Sequence, residues 1–464
     1  MNFKMDFKFG NEVLDNYKGD LEVSNTNTTT TIKNSLDEVL SSAKRILPID
    51  DYTINVSADE GYSINQILLN DTSIPNNSTY KLKFGENLII KASAVEYTPP
   101  VGSPIYGVSW TNDATTTMTR TDDAVEMTYT ISDGKVTSDF DHVFPYNQMK
   151  RETIFFGEGA DDYNIFVYVP AMWFRIKEGT TYTGPNYFDI TGVAVSETKG
   201  ADQPGYRWYQ SKAFYYGAYG GVNGTNVSGK LYSDSPYKRG VKDNRDTFRS
   251  SSMNVGIGYH QRDLYATTVL TLLWFIEFAT KRSQSVMTGA NTEELLQTGG
   301  TDSIYEETTG ADFCVSGYNI YTNQMVWHGI EDFVGNLYEW VDGITVNPST
   351  GEQYVSDNYT LYDDYDGGSN MSQLAFNDPA TQNYNILYAL GWDITKPFLM
   401  RPIHVEATND PLYAFGSYIG PYKDGSVISY GSSYKNYSDD NVTSGFWGSS
   451  NYTGARLMLE IINE

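Results

Sequence analysis

Four carboxylates lie close together between residues 327 and 342 and are the first candidates for chemistry: Glu331, Asp332, Glu339 and Asp342. Two opposed carboxylates hydrolyse a glycosidic bond when one acts as general acid and the other as base or nucleophile. Nothing in this stretch marks a pair with separated roles. The sequence therefore favours a structural role, in which these side chains cap turns or order loops.

Three aspartates offer oxygen ligands for a cation: Asp363, Asp364 and Asp366, with Gly367 next in the chain. An EF-hand loop of this kind ends on a bidentate Glu, and Leu374 stands at that position. A calcium ion and a solvated turn both fit the segment, and the sequence favours the turn.

Redox and transition-metal chemistry are limited by the few residues that support them. Cys314 is the only cysteine, so an intramolecular disulfide and a zinc–cysteine site are excluded. We expect it to be chemically dispensable and no cofactor to be required. The histidines lie far apart, with no two at metal-ligand spacing: His142, His260, His328 and His404.

Recognition chemistry is concentrated between residues 430 and 452, where aromatic side chains alternate with amides, hydroxyls and carboxylates. Such a mixture binds sugars or proteins, and a solubilising loop is the alternative. We expect the contacts to come from Tyr430, Tyr434, Asn436, Tyr437, Trp447, Asn451 and Tyr452. A second cluster fits either a docking surface or packing against a neighbouring loop: Tyr215, Tyr216 and Tyr219.

Composition excludes several classes of partner. The 464 residues include 32 Lys and Arg against 58 Asp and Glu, a formal charge of -26. This charge repels phosphate backbones and anionic membranes, so we expect neither nucleic-acid binding nor membrane insertion. The first residues lack the cationic and apolar regions of a signal peptide, which predicts synthesis in a cytoplasm. Aromatic residues at 14 % and charged residues at 19 % favour many short strands, a mostly β fold.

The pattern divides the chain into four parts. Residues 1–48 form an N-terminal segment that fits either an anchor to a larger assembly or a cap on the next domain, with a short helix predicted over Ser35–Leu47. Residues 49–97 show short alternating strands typical of a small Ig-like β-sandwich, similar to bacterial Ig-like spacers. A Pro-rich linker covers 98–104. The C-terminal domain covers 105–464 and opens with a β module at 105–150.

Three local patterns predict elements of the C-terminal domain. The nearly all-apolar stretch Asp263–Arg282 predicts a buried core helix, because its apolar run is too short for a membrane span. The run Ile165–Val169 predicts a strand buried on both faces, with Arg175 marking where it surfaces. Gly335 and Asn336 tolerate positive φ between apolar runs that include Trp340, and predict a tight hairpin.

The stretch "GIEDFVGNLYEWVDG" at residues 329–343 resembles the "GLxDMxGNVWEW" signature of the formylglycine-generating-enzyme-like branch of the C-type lectin fold. Tyr430-Gly-Ser-Ser-Tyr434 and Gly454-Ala-Arg-Leu457 match its closing "GGSW" and "GFRL" in order. The resemblance implies an α+β, C-type-lectin-like domain over about residues 150–464. The family's catalytic cysteine pair does not transfer to a chain with one cysteine. Variable proteins of diversity-generating retroelements share this fold, and the composition of 430–452 suits such a protein.

Two further phrases, "IYGVSWTNDATTTMTRTDDAVEM" and "FPYNQMK", are similar to the opening module of tail and fibre proteins in phages and prophages of Gram-positive and gut bacteria. This resemblance implies a virion protein, a tail fibre or receptor-binding protein, that attaches to a bacterial surface glycan or protein. It also implies a homo-oligomer, joined to other virion proteins through the N-terminal segment, without enzymatic activity. The alternatives are a purely structural fibre or decoration subunit and a glycan-active enzyme.

Overall fold

The structure is a computed structural model, and the residues that it describes lie between 19 and 461. They are 19–26, 28–33, 39–40, 45–46, 51–58, 62–70, 72–73, 78–81, 88–96, 103–113, 115, 117–156, 163–223, 229–234, 245–281, 283–287, 289–290, 296–306, 316–336, 338–347, 350–363, 370–377, 385–396, 398–407, 426–431, 445–448 and 453–461. The chain divides into two compact units, Met1–Val101 and Gly102–Glu464. No helix in these ranges is long and apolar enough to cross a membrane.

The first unit is built from strands. They are β1 (Gly19–Thr26), β2 (Thr28–Lys33), β3 (Val39–Leu40), β4 (Arg45–Ile46), β5 (Asp51–Ala58), β6 (Tyr62–Leu69), β7 (Thr72–Ser73), β8 (Ser78–Lys81) and β9 (Leu88–Glu96). One sheet has the order β4-β1-β9-β6-β7 and the other β3-β2-β5-β8. Alternate apolar side chains of both sheets, such as Ile54 and Ile90, are buried in one shared cluster.

Two sequence predictions for this unit are wrong. The helix predicted over Ser35–Leu47 is absent from its described residues, where β3 pairs with β2 and β4 pairs with β1. The ladder hydrogen bonds to β2 and β1 outweigh a short helix, whose nucleation is costly. The boundary predicted at residue 48 does not separate two folds either, because β1 pairs with β9 and β2 pairs with β5.

The second unit combines several antiparallel sheets with a few helices. The first strands are β10 (Tyr106–Ser109), β11 (Thr119–Asp122), β12 (Tyr129–Ser132), β13 (Lys135–Ser138), β14 (Arg151–Phe155), β15 (Tyr163–Val169), β16 (Trp173–Glu178), β17 (Tyr187–Ser196), β18 (Tyr206–Gln210), β19 (Phe214–Gly217), β20 (Val222–Asn223), β21 (Leu231–Tyr232) and β22 (Tyr259–Gln261). The later strands are β23 (Ser316–Tyr318), β24 (Met325–Trp327), β25 (Ile330–Glu331), β26 (Tyr338–Val346), β27 (Glu352–Val355), β28 (Ser372–Asn377), β29 (Asn385–Asp393), β30 (Arg401–Ala407), β31 (Ser426–Gly431), β32 (Gly445–Gly448), β33 (Thr453–Gly454) and β34 (Leu457–Glu460).

The α-helices of this unit are α1 (Arg245–Met253), α2 (Leu264–Phe278) and α3 (Asp302–Glu306). The short 3-10 helices are η1 (Asp139–His142), η2 (Tyr146–Gln148), η3 (Ser283–Ser285) and η4 (Tyr359–Leu361). Together the two units make the described chain mostly β, as the composition predicted.

Four larger sheets surround the core of this unit. Their orders are β11-β10-β17-β16-β18, with β29 joining β17 to β30; β12-β13-β23-β24-β25; β14-β15-β19-β34-β22; and β28-β27-β26-β31-β32, with β33 parallel to β26. The opening module therefore does not fold apart, since β10 pairs with β17 and β13 pairs with β23.

Helix α2 is the buried core helix that the sequence predicts. Every one of its residues is buried, and it packs against β10, β17 and β26. Asp263 caps its start by accepting a hydrogen bond from the Ala266 amide at 2.8 Å. It ends at Ala279, which adopts a left-handed φ of 50°. The Arg120 guanidinium donates hydrogen bonds to the carbonyls of Ile276 and Glu277 at this end of the helix.

The strands predicted to pair around Gly335 and Asn336 do not do so, but the predicted positive-φ turn is present. Both residues have positive φ, 104° and 63°, but β25 and β26 do not pair with each other. The tight two-residue turn lies earlier, at His328 and Gly329 between β24 and β25. The turn at 335–336 instead docks on a neighbouring loop, where the Asn336 amide donates to the Ala290 carbonyl at 2.8 Å.

Burial corrects two further predictions. Strand β15 buries side chains on both faces, as predicted, with Val167 and Val169 in the main core and Phe166 in a second apolar cluster. Arg175, however, is buried rather than surfacing. Trp340 is half-buried, whereas Trp327 is fully buried in the main core.

We expect Gly335→Ala to destabilise the C-terminal unit by several kcal/mol. A Cβ at this position would lie 2.5 Å from the Ala290 nitrogen and 2.7 Å from the Gly289 Cα, both backbone atoms. Gly205→Ala is the matched control, because Gly205 has a φ of 77° with no heavy atom within 4 Å of its Cβ position. The control adds only the left-handed strain, about 1–2 kcal/mol. Urea unfolding of both variants measures the difference, and equal losses would contradict the docked turn.

Candidate functional site

Glu339 lies at the centre of a buried ion-pair network. It accepts hydrogen bonds from Arg262, which precedes α2, at 2.9 Å, and from Arg456 of the closing stretch at 3.0–3.1 Å. Arg456 also donates to the carbonyls of Gly217 and Glu331, both at 2.8 Å. Burial alone would lower the pKa of Arg456, and the Glu339 carboxylate raises it above its ordinary value. Two of the three stretches that carry the lectin-fold resemblance, the central motif and Gly454–Leu457, are therefore in direct contact.

Asp342 makes a second buried pair, with helix α1. The Arg249 guanidinium contacts both carboxylate oxygens at 2.7 Å, and the Gln261 amide donates to one of them at 2.7 Å. This bidentate pair links α1 to β26.

The remaining two carboxylates of the motif order neighbouring loops. Glu331 accepts from the Gly299 amide at 2.8 Å and from the Thr301 hydroxyl at 2.7 Å. Asp332 accepts from the side-chain amides of Gln324 at 3.0 Å and Asn336 at 2.9 Å. Burial, with the Asp332 charge, raises the pKa of Glu331 to about 7. All four carboxylates are 2 % exposed or less, so the structure supports a structural role for them rather than a glycosidase pair.

The predicted recognition segment begins on a strand beside this network. Tyr430 lies in β31 opposite Glu339, and Trp447 lies in β32, which pairs with β31. Segment 432–444 joins β31 to β32, and segment 449–452 joins β32 to β33, which pairs with β26. Five of the predicted contact residues lie outside the described ranges: Tyr434, Asn436, Tyr437, Asn451 and Tyr452.

The second tyrosine cluster is not a docking surface. Tyr216 and Tyr219 are buried, and half-buried Tyr215 donates to Glu152 at 3.0 Å. Burial raises the pKa of Tyr215 to about 12, with the Glu152 carboxylate adding to the shift. The packing alternative is confirmed for these residues.

The predicted cation loop is described only at its start. Asp363 accepts a hydrogen bond from the Asn370 amide at 3.0 Å, and its carbonyl accepts one from Arg245 at 3.0 Å. Asp364 and Asp366 lie outside the described ranges, as does Cys314. Calcium binding stays a prediction.

Sequence reasoning missed one constellation, formed by Asp141 of η1, Glu277 of α2 and His328 in the two-residue turn. The His328 Nε2 lies 3.0 Å from Glu277 Oε2, and its Nδ1 lies 3.9 Å from Asp141 Oδ1. Burial raises the pKa of Asp141 to about 6; His328 opposes this shift and Glu277 adds to it. The available signal was Glu277 itself, an acidic residue in an apolar helix, which requires a buried partner.

The histidines at 260 and 404 have packing roles. The His260 ring stacks on Tyr359 with centroids 5.2 Å apart, and the His404 ring stacks on Tyr182 at 4.6 Å. Each of these two rings therefore has its own aromatic neighbour.

Comparison of the sequence with protein-family models and with curated proteins finds no match.

We expect Glu339→Gln to be strongly destabilising, because it leaves two buried guanidinium groups without their carboxylate. Removing one partner of a buried ion pair typically costs about 3–5 kcal/mol. Asp202→Asn is the control, since Asp202 pairs with Lys199 at the surface and its side chain is 78 % exposed. Urea denaturation of both variants checks the expectation. A Glu339→Gln variant as stable as the parent would mean that the network is peripheral to the fold.

Proposed function

We propose that this chain is a bacteriophage virion protein, a tail fibre or receptor-binding protein, that attaches to the host bacterial surface. Attachment occurs through loops of a C-type-lectin-like domain, and the ligand is a surface glycan or protein. The proposal includes an Ig-like spacer in the first unit and contacts with other virion proteins through the N-terminal segment. It also includes a location in the virion and a homo-oligomeric state.

The observation that carries this proposal is the buried network around Glu339. It uses the acidic residues of the central motif as structural ligands, so the motif supports a scaffold rather than a reaction centre. The same strand, β26, pairs with β31 and with β33. Both segments rich in tyrosine and asparagine therefore start or finish on strands that this network holds. Loops on a rigid scaffold are a common site of recognition.

The fold-level part of the proposal has separate support. In the first unit, two sheets share one apolar cluster, as an Ig-like sandwich requires. In the second, Arg456 of the closing stretch pairs with Glu339 of the central motif, which gives the two resembling motifs one physical reason to occur together. The phage assignment itself rests on the resemblance of the opening module.

We expect simultaneous replacement of Tyr434, Tyr437 and Tyr452 by alanine to abolish binding to host cells. Aromatic anchors at an interface contribute about 2 kcal/mol or more each, so the affinity should fall by at least about a thousandfold. The melting temperature should change little, because loop tips contribute little to a core. The measurements are binding of labelled protein to a panel of gut and Gram-positive bacteria, and thermal unfolding.

The matched control replaces two aromatic residues that are exposed elsewhere, Phe155 at 62 % and Tyr321 at 89 %. This control should bind as the parent does. Equal binding by the triple variant would place recognition outside these loops. A parent protein that binds no cell would favour the structural fibre or decoration subunit. Release of sugar from isolated cell envelopes would favour the glycan-active enzyme.

A further inference from the structure

The buried constellation of Asp141, Glu277 and His328 has the composition of a metal site. Atoms able to bind a metal, one from each residue, lie within 4.8 Å of one another. The three side chains are at most 2 % exposed. They come from three segments distant in sequence, so their convergence is a product of the completed fold.

Two carboxylate oxygens at this centre have no hydrogen-bond donor among the described residues: Asp141 Oδ1 and Glu277 Oε1. The other oxygen of Asp141 accepts from the Ser138 amide at 2.9 Å, and that of Glu277 accepts from the Trp327 indole at 2.7 Å. A buried acceptor left without a partner costs about 1–3 kcal/mol, and more when it is charged. A cation bound to both oxygens would supply the partner that each of them lacks.

The nearby positive group does not meet this demand. The Arg120 guanidinium donates to the backbone carbonyls of Ile276 and Glu277. Its hydrogen bonds thus go to the end of helix α2 and not to the carboxylate oxygens.

We propose that Asp141, Glu277 and His328 bind one divalent first-row transition-metal ion, of the Zn²⁺ or Mn²⁺ type, as a structural centre. Carboxylate and imidazole together suit these ions, whereas Ca²⁺ and Mg²⁺ prefer shells of oxygen. Ligands about 2.1 Å from one ion lie roughly 3 to 3.5 Å apart, and the three donor atoms here lie within 4.8 Å of one another, so a bound ion would draw the side chains closer together. The Trp327 indole then holds the other oxygen of the Glu277 carboxylate, as outer partners of metal ligands do.

Such an ion would join the opening module, the core helix and the two-residue turn of the sheet β12-β13-β23-β24-β25. It is independent of receptor binding, because the recognition segment contributes none of its ligands. Binding energy at a structural metal site contributes directly to folding. The centre therefore predicts that stability of the full chain depends on the metal.

The test uses the full-length chain, purified without a polyhistidine tag. The protein is unfolded in guanidinium with EDTA and refolded with Zn²⁺, Mn²⁺, Ca²⁺ or no metal, since a buried centre is best filled during folding. We expect about one Zn²⁺ or Mn²⁺ per chain after dialysis, by plasma mass spectrometry, and a higher melting temperature than without metal. Metal content equal to the buffer and one melting temperature in all four samples would overturn the proposal.

Variants locate the ion. Asp141→Asn and Glu277→Gln keep side-chain size and should lose both the bound metal and the metal-dependent rise in melting temperature. His142→Gln is the control, because His142 is an exposed histidine next to Asp141 on η1, and this variant should keep both. If one ligand variant fails to fold, the refolding series of the parent protein and the other variant still test the proposal. Retention of the ion in both ligand variants, or binding of Ca²⁺ alone, would overturn the assignment to this centre.

Discussion

The C-terminal unit depends on one buried interaction, the Glu339 carboxylate shared by the guanidinium groups of Arg262 and Arg456. Taking three charges out of water is costly, and the cost is recovered only when all hydrogen bonds are made. Arg456 makes its own with carbonyls of Gly217, Glu331 and Asp332. These partners come from two distant parts of the sequence, so a partly folded chain cannot satisfy them. The network thereby couples the last strand of the chain to the centre of the domain.

This network explains why a motif rich in carboxylates is compatible with a binding protein. Each acidic side chain of the motif is already occupied by a donor of the fold: Arg456 and Arg262 for Glu339, Arg249 for Asp342, and loop amides for the others. Catalysis would require a carboxylate that can reach substrate, and these are buried. What the motif supplies is a fixed strand, β26, from which the neighbouring strands β31 and β33 are positioned. On our proposal, variation in the loops between them would leave the scaffold unchanged.

The buried centre at Glu277 is subject to the same requirement that a buried charge has partners, but the residues around it supply them differently. An acidic residue in a helix that is buried on every side must find partners, and the fold supplies a tryptophan, a histidine and a second carboxylate nearby. Both oxygens of Glu339 accept hydrogen bonds from guanidinium groups, whereas Asp141 Oδ1 and Glu277 Oε1 have no donor among the described residues. That difference separates a closed ion-pair network from a centre that we propose takes up a cation.

Local sequence patterns determined the elements whose causes are local. The apolar run with Asp263 as N-cap specifies helix α2, alternating side chains specify β5, β6 and β9, and Gly335 with Asn336 specifies a positive-φ turn. The tertiary structure alone decided which strands pair, that Val39 and Ile46 extend as strands, and that Asp141, Glu277 and His328 meet. Periodicity and turn chemistry act over a few residues, so they can be read from the chain. Strand partners and buried polar groupings depend on contacts between distant segments, whose free energies exist only once those segments have packed together.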